Sequence, residues 1–471
     1  MKYLLLCRKD TPCKLLTQKI KRRRHAHTPP QNAHFFVFFE KDCPPTRAMQ
    51  PPLTQPPHQP SSSSQMPLRI AFIIHNQAET GPYWKVLEQC AAYIRLGHTA
   101  TIFCTSKTKR WRGKERMADG VCIIEAPDLL WGKLRQGVDV WNALWRCVRG
   151  SQKRFDVVHA VDCRPNVILP ARFLQRSQRI PLVLAWWDLF GSESKRFGEF
   201  YAHTAGKLEG WLETSFRSYA DGSIAITHAL AERLRNLGLP PENIVVEHLG
   251  VDSSLEPLSY TQARKRLAEK HYIAEKENVF CFAGTIYDAD FALLLAALDV
   301  LRREQLPFRM LWIGKHQVSS EVQATYNIKH LGLIQTMSEV YEYFAAADAC
   351  LLPMEVNASN MARWPSKVTD YLNAGCPVAL TPVSDFPELF KRYDLGWMAH
   401  SGSPADYADA LKRAVADKPK REARSAATRD FMRRELDVMA IAERTIALYR
   451  QCINNKNSHA HTRNESHENH E

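Results

Sequence analysis

From residue 68 onward, apolar residues come in short β-branched runs. Each run is followed by a turn and then by apolar positions three and four apart. Residues 68–75 (LRIAFIIH) have the make-up of a buried parallel strand. Gly81-Pro82 makes the turn, and 83–96 sets Val86, Leu87, Cys90, Ala91, Tyr93 and Ile94 at helical spacing, closed by Gly97. Strands are predicted over 99–104, 155–160, 182–186 and 222–227, and the segment 245–250 ends this half. The rhythm then restarts. Residues 279–283 read as a strand, Gly284 as a turn and 291–303 as an amphipathic helix. Further strands fall at 309–313, 328–332, 349–352 and 377–380, and helices at 337–346, 368–373, 386–389 and 405–416. The segment 421–452 reads as a long helical end piece. Two such series predict an α/β protein of two doubly wound, Rossmann-type domains with the ligand in the cleft between them. The boundaries expected are 67–255, 256–435, a C-terminal helix over 436–452 and a disordered tail over 453–471.

Charge changes this picture at one end only. The 471 residues carry a formal net charge of +13. Residues 1–66 hold 11 Lys/Arg against 3 acids and 10 of the 27 prolines, a composition that does not fold alone. The apolar stretch in this leader is too short for a secretory signal. Its Lys21-Arg22-Arg23-Arg24 run suits nucleic acid or a nuclear address, or is simply solvated chain. Met66, just before the first strand, is a candidate start. Residues 67–452 carry only +6, so specific nucleic-acid binding is not expected of the folded part. No window approaches 18 apolar residues, which argues against a membrane-spanning helix. The twelve cysteines are scattered without a C-x2-C pair, which points to reduced thiols, no structural zinc and a cytoplasmic protein.

No G-x-G-x-x-G follows a strand, and no G-x4-G-K-[ST] occurs, so dehydrogenase and P-loop readings lose their usual support. The informative window is 350–388, CLLPMEVNASNMARWPSKVTDYLNAGCPVALTPVSDFPE. It reads as strand, loop, helix start, helix, Gly turn and strand. Pro365 fits the first helical position, with Asn360 or Ser366 as cap. A helix N-terminus there, flanked by Arg363 and Lys367, suits a diphosphate. Asp370, one turn on, suits a ribose diol; a plain solvated Arg/Lys pair is the simpler alternative.

PSKVTDYLNAGCPVALTPVSDFPEL resembles the P-x-K-x-x-E-Y-x-x-x-G-x-P-V stretch of retaining, nucleotide-sugar-dependent glycosyltransferases of family 4, which have the GT-B fold. RIAFIIHN with Gly81 and Leu96-Gly97-His98 resembles that family's opening strand, glycine loop and turn. FDVVHA resembles its D-V-V-H-x-H strand, and YADGSIAITHALAERLRNLGLPPENIVVEHLGVD its crossover into the second domain. The resemblance covers most of 67–435. It implies sugar transfer from a nucleoside diphosphate sugar to a carbohydrate or lipid-linked acceptor, with retention and without metal or other cofactor. Donor contacts are expected at Gly81, Gly284, Thr285, Arg363, Ser366, Lys367, Asp370 and Glu388, with Lys315, at a strand end, as a further candidate for the positive charge. A catalytically inactive relative that binds nucleotide sugar or glycan is the alternative.

The chain departs from that pattern at three points. Ala362 stands where the family has the first of two acids eight residues apart. Gly284-Thr285-Ile286-Tyr287-Asp288-Ala289-Asp290 lacks the family's base, and Ser384-Asp385 replaces a Gly-Gly. Asp288-Ala289-Asp290 also spells the metal–nucleotide D-x-D, although a helix-capping role for either acid fits its Gly-turn setting better. In the first domain, His159 is predicted to end a strand at the cleft mouth, with Asp162 orienting it and Asp188 at the next strand end; these three are the catalytic candidates. Eight of the eleven tryptophans lie in this domain, suiting sugar faces or simply the core. Lys107-Thr108-Lys109-Arg110-Trp111-Arg112 could hold an anionic membrane at its inner face or a lipid-linked acceptor, or be a solvated loop.

Overall fold

The computed structural model describes residues 66–107, 111–130, 137–189 and 203–468. The basic leader before Met66, Lys109 and Arg110 of the basic cluster, and Phe190 beside Asp188 lie outside the described residues.

The first domain is an eight-stranded sheet in the order β3-β4-β2-β1-β5-β6-β7-β8. Its strands are β1 Arg69–Gln77, β2 Thr99–Thr105, β3 Lys114–Ala118, β4 Val121–Ala126, β5 Val157–Val161, β6 Leu182–Trp186, β7 Gly222–Ala225 and β8 Ile244–Val246. All neighbours pair parallel except β3, which runs antiparallel to β4. The helices are α1 Tyr83–Arg95, α2 Val140–Ser151, α3 Pro165–Ser177, α4 Ala205–Ser215 and α5 His228–Asn236. Residues 70–74 of β1 are fully buried, as a strand covered on both faces requires.

The second domain is a six-stranded parallel sheet, β11-β10-β9-β12-β13-β14. Its strands are β9 Val279–Ala283, β10 Arg309–Ile313, β11 Ile328–Gly332, β12 Ala349–Leu352, β13 Val378–Leu380 and β14 Gly396–Met398. Around it lie α6 Tyr260–Glu269, α7 Asp288–Arg303, α8 Ser320–Thr325, α9 Met337–Ala346, α10 Ala358–Ala362, α11 Ser366–Asn373, α12 Phe386–Arg392, α13 Pro404–Ala416 and α14 Arg421–Glu435. Strand order reverses between β1 and β5 in one sheet and between β9 and β12 in the other. Ligand crevices form beyond the carboxyl ends of strands at such switch points. The expected pair of doubly wound domains is therefore present.

The chain crosses between domains twice, and the crossings are joined. Val251 N–H donates to Leu436 C=O at 3.0 Å, and Val438 N–H donates to Val251 C=O at 3.0 Å. Asp437 accepts from Met439 N–H at 2.8 Å and from the Ser253 hydroxyl at 2.5 Å. It thereby starts α15, Val438–Glu468, as a separate helix. The single helix expected over 421–452 is thus two. Residues 453–468, expected as a disordered tail, are helical: no Gly or Pro breaks them, and Lys456 is tied to the carbonyl of Ile180 and to Asp221. Helix α15 returns to the first domain, packing Val438, Ala442, Ile446 and Tyr449 into its core with Tyr93 and Ile70. Burying each such side chain contributes about 1.5–3 kcal/mol.

Candidate active site

The second-domain lip of the cleft is built around the start of α11. Pro365 is its N-cap residue rather than its first helical residue, and no side chain caps it. Its first N–H groups are accordingly left for a ligand or water. Asn360 caps nothing; its amide donates to Glu355 C=O at 2.6 Å, while Asn357 caps α10. Lys367 donates to Thr285 C=O at 2.9 Å and lies over the Phe282 ring at 4.3 Å. Burial, reinforced by the Arg363 charge, pushes its ammonium down to about 7. The Arg363 guanidinium lies 5.1 Å from the Tyr287 ring centre, and its Nε has no hydrogen-bond partner among the described residues. Gly284 and Gly314 turn the chain at the ends of β9 and β10 with φ of 92° and 137°. A Cβ on Gly314 would sit 3.1 Å from the Gly284 oxygen, so the turns pack back to back. Thr285, Ser366 and Lys315 are exposed beside them.

The acidic 288–290 turn does not cap α7 with a side chain, as was expected; Tyr287 is the N-cap residue. Asp290 is buried and accepts from Glu355 N–H at 2.8 Å, tying the start of α7 to the loop after β12. Burial raises it, while Arg363 and Lys367 oppose the rise. Among the described residues no group of three or more His, Cys, Asp or Glu could hold a metal ion.

Asp370 faces the other domain. Lys85 of α1 reaches it at 3.8 Å, Glu88 at 3.4 Å and the Gly250 carbonyl at 3.2 Å. Burial disfavours the Lys85 charge, yet Asp370 and Glu88 hold it above the ordinary lysine range. Gly81, with φ of 48°, makes the turn into α1. Glu388 is apart from this group: its side chain is 71 % exposed and paired with Lys391 at 2.6 Å.

Below the cleft the domains are joined by a polar seam. Asp385 accepts from His228 N–H at 3.0 Å and lies 3.0 Å from His228 Nδ1. His248 Nε2 is 3.7 Å from the same carboxylate, and its ring stacks on Trp364 at 4.0 Å. Thr227 donates to Ala362 C=O at 3.1 Å, and Thr369 to Leu249 C=O at 3.0 Å. The methyl of Ala362 is therefore buried against this seam.

The first-domain lip carries charge of a different kind. Asp162, buried with φ of 64°, accepts from Trp187 N–H at 3.4 Å and lies 3.9 Å from His75. Glu213 pairs with Arg217 at 3.1 Å, Arg164 with Glu209 at 2.6 Å, and Arg217 covers the Trp186 ring at 4.0 Å. Burial raises Asp162, and the Glu213 and Asp188 charges add to it. Asp188 holds its place at the end of β6, where its carbonyl accepts from Trp186 Nε1 at 3.0 Å.

His159 is the correction. Strand β5 runs two residues past it, so the ring lies mid-strand, stacked on Phe72 at 4.1 Å and bonded to the Tyr449 hydroxyl at 2.5 Å. Burial pushes it down to about 3, and Asp162, engaged with His75 and Trp187, does not orient it. It lines a cavity for about one water, with Lys85, Trp187, His248 and Gly250. Lys85, His228 and His248 are given no role by the sequence, and Asp385 appears there only as part of the Ser384-Asp385 departure. Only Lys85, on the helix after the glycine turn, left a signal there.

Two doubly wound sheets, parallel but for the edge strand β3, with a cleft between the domains and a cationic helix start on one side, define a two-domain GT-B protein. The chain is a GT-B-fold member of the glycosyltransferase family 4/group 1 superfamily. Residues 80–250 match the Glycosyl transferase 4-like domain, and 263–431 match Glycosyl transferases group 1. A D-inositol 3-phosphate glycosyltransferase of Corynebacterium aurimucosum is 25% identical over 200 residues, 38% of this chain and 45% of the relative. The chain thus spans under half the length of that curated relative. Among solved structures, sucrose-phosphate synthase from Thermosynechococcus elongatus superposes with a TM-score of 0.65 at 15% identity, covering 82% of this chain and 98% of that one. HepE of Anabaena, in complex with UDP and glucose, superposes with a TM-score of 0.58 at 15% identity over 81% and 98%. At these identities the superpositions show the fold alone. No helix among the described residues is long and apolar enough to cross a membrane.

Proposed function

We propose that this chain transfers a sugar from a nucleoside diphosphate sugar to a hydroxyl of a carbohydrate or lipid-linked acceptor, with retention and without a metal. The observation that carries this reading is the uncapped start of α11, with Arg363 and Lys367 beside the Gly284-Thr285 turn. A diphosphate laid there takes hydrogen bonds from the helix N–H groups and charge from both side chains. As the sugar carbon loses its bond to the diphosphate oxygen, charge grows on the leaving group, and these donors stabilise it. Lys367, pushed down to about 7 and so only partly protonated at neutral pH, takes up a fraction of a proton as the diphosphate binds. Asp370, held by Lys85, is in place for a ribose diol, and this pair links donor occupancy to the opposite domain. Asp162 and Asp188, at the strand ends of the first domain, are assigned to the acceptor side in this reading, and His159 is a core residue of β5 bonded to Tyr449.

Ala362 favours a second reading, a non-catalytic nucleotide-sugar or glycan binder. No carboxylate occupies that position, and the residue is locked in the domain seam. Incubation with UDP-, GDP-, ADP- and dTDP-sugars separates the two. Slow donor hydrolysis, or transfer to added acceptor, supports transfer; binding without turnover supports the second reading. Neither binding nor turnover with any donor defeats both.

A further inference from the structure

Helix α2 is amphipathic the wrong way round. Two of its polar residues, Asn142 and Arg146, face the core. Arg146 is fully buried and donates to the carbonyls of Ile74 at 2.7 Å and Asn166 at 3.1 Å, and Asn142 donates to Pro127 C=O at 2.6 Å. Its apolar residues face out: Val140, Trp141, Leu144 and Val148 are each half exposed or more. At 100° per residue these four fall within one quarter-to-third of the helix circumference, a single stripe. The helix is firmly built, since Asp139 caps it by accepting from Trp141 and Asn142 N–H groups. A loose segment is therefore not the reason for the exposure.

The stripe has an extension and a rim. The 111–114 segment lies against α2, where a Cβ on Gly113 would meet the Trp145 ring at 2.0 Å. Trp111 beside it is 77% exposed. Leu169 and Phe173, one turn apart on α3, which packs on α2, are also exposed. Arg112 and Lys114 flank Gly113 in this segment, Arg149 lies on α2, and Lys153 and Arg154 follow its end. Arg149 and Lys153 meet Glu115 at 2.7 Å and 2.8 Å, so two bases share one acid and this described edge keeps net positive charge. Aromatic and aliphatic side chains on a rigid helix, rimmed by bases, match a layer that is apolar below and anionic at its surface.

We infer that α2 and the 111–114 segment form a docking face for an anionic lipid surface, into which Trp141, Leu144 and Trp111 insert while the basic rim meets the headgroups. This does not depend on the transfer reading, because none of these residues belongs to the cleft.

The test is flotation of the full-length chain with phosphatidylcholine vesicles, with and without about one third phosphatidylglycerol. Trp141→Glu/Leu144→Glu and Trp111→Ala are compared with wild type, with sedimentation velocity on the same samples. Wild type should float with the anionic vesicles, much less with neutral ones, and less as salt is raised. The double variant should lose about tenfold or more of its partitioning, and Trp111→Ala a smaller part, with unchanged melting temperature because the side chains are exposed. Equal flotation of wild type and double variant would overturn the proposal, placing any lipid affinity elsewhere in the chain. So would the absence of wild-type flotation. A wild-type dimer that the double variant converts to monomer, without lipid binding, would show that the face meets a second copy instead.

Discussion

The two lips of the cleft use their charges in opposite ways. On the first-domain lip, Asp162, Glu213, Arg217 and Arg164 are buried, Glu209 is half-buried, and they answer one another. On the second-domain lip, Arg363 and Lys367 share one buried acid, Asp290, whose carboxylate is turned toward a backbone N–H. The first arrangement holds a shape; the second leaves positive charge to be answered from outside. The difference teaches that perturbed acids alone do not mark the reacting end, because burial among fixed partners produces them too.

The largest expected effect falls on the first lip. Arg217→Ala strands Glu213 in the interior and should cost about 3–5 kcal/mol of folding stability, read by urea unfolding. A stable variant with lost nucleotide binding would instead place Arg217 in the donor site. On the second lip the pattern reverses. Arg363→Ala and Lys367→Ala should each weaken donor diphosphate binding by about 1–3 kcal/mol, with little change in stability. Unchanged nucleotide affinity in both would remove them from the site.

A pH series sharpens the contrast. With the Lys367 ammonium pushed down to about 7, the free side chain loses its proton as pH rises through neutrality. Binding favours the charged form, so donor affinity should fall by up to about tenfold per unit from pH 7 to 9, with proton uptake in calorimetry. Lys367→Arg should flatten the profile. A wild-type profile already flat would show the ammonium charged throughout. Glu388→Ala is the smallest change, within about 0.5 kcal/mol in stability and without effect on donor affinity, since the carboxylate sits in an exposed pair.

Much of the fold is legible in the sequence because its strands are short β-branched runs. The spans 182–186, 279–283, 309–313, 328–332 and 349–352 coincide with β6, β9, β10, β11 and β12. Helix α2 escaped because pattern reading assigns apolar residues to the interior, and here Arg146 and Asn142 take that place. The β3–β4 hairpin escaped because Lys114–Ala118 is an exposed polar edge. For the site, one contiguous window carried Arg363, Lys367 and Asp370, and local order sufficed to see it. The Asp385–His228 contact joins residues 157 positions apart, a pairing that no spacing announces. His159 went astray by two residues: β5 continues through Val161, which turns a cleft-mouth histidine into a core one.

The central claim is that the start of α11 holds a nucleoside diphosphate through Arg363 and Lys367. Calorimetric titration of the full-length chain with UDP, GDP, ADP and dTDP, beside Arg363→Ala, tests it most directly. At least one nucleotide should bind saturably, with affinity about tenfold weaker in the variant. Binding that is equal in both proteins, or absent with all four, would contradict it.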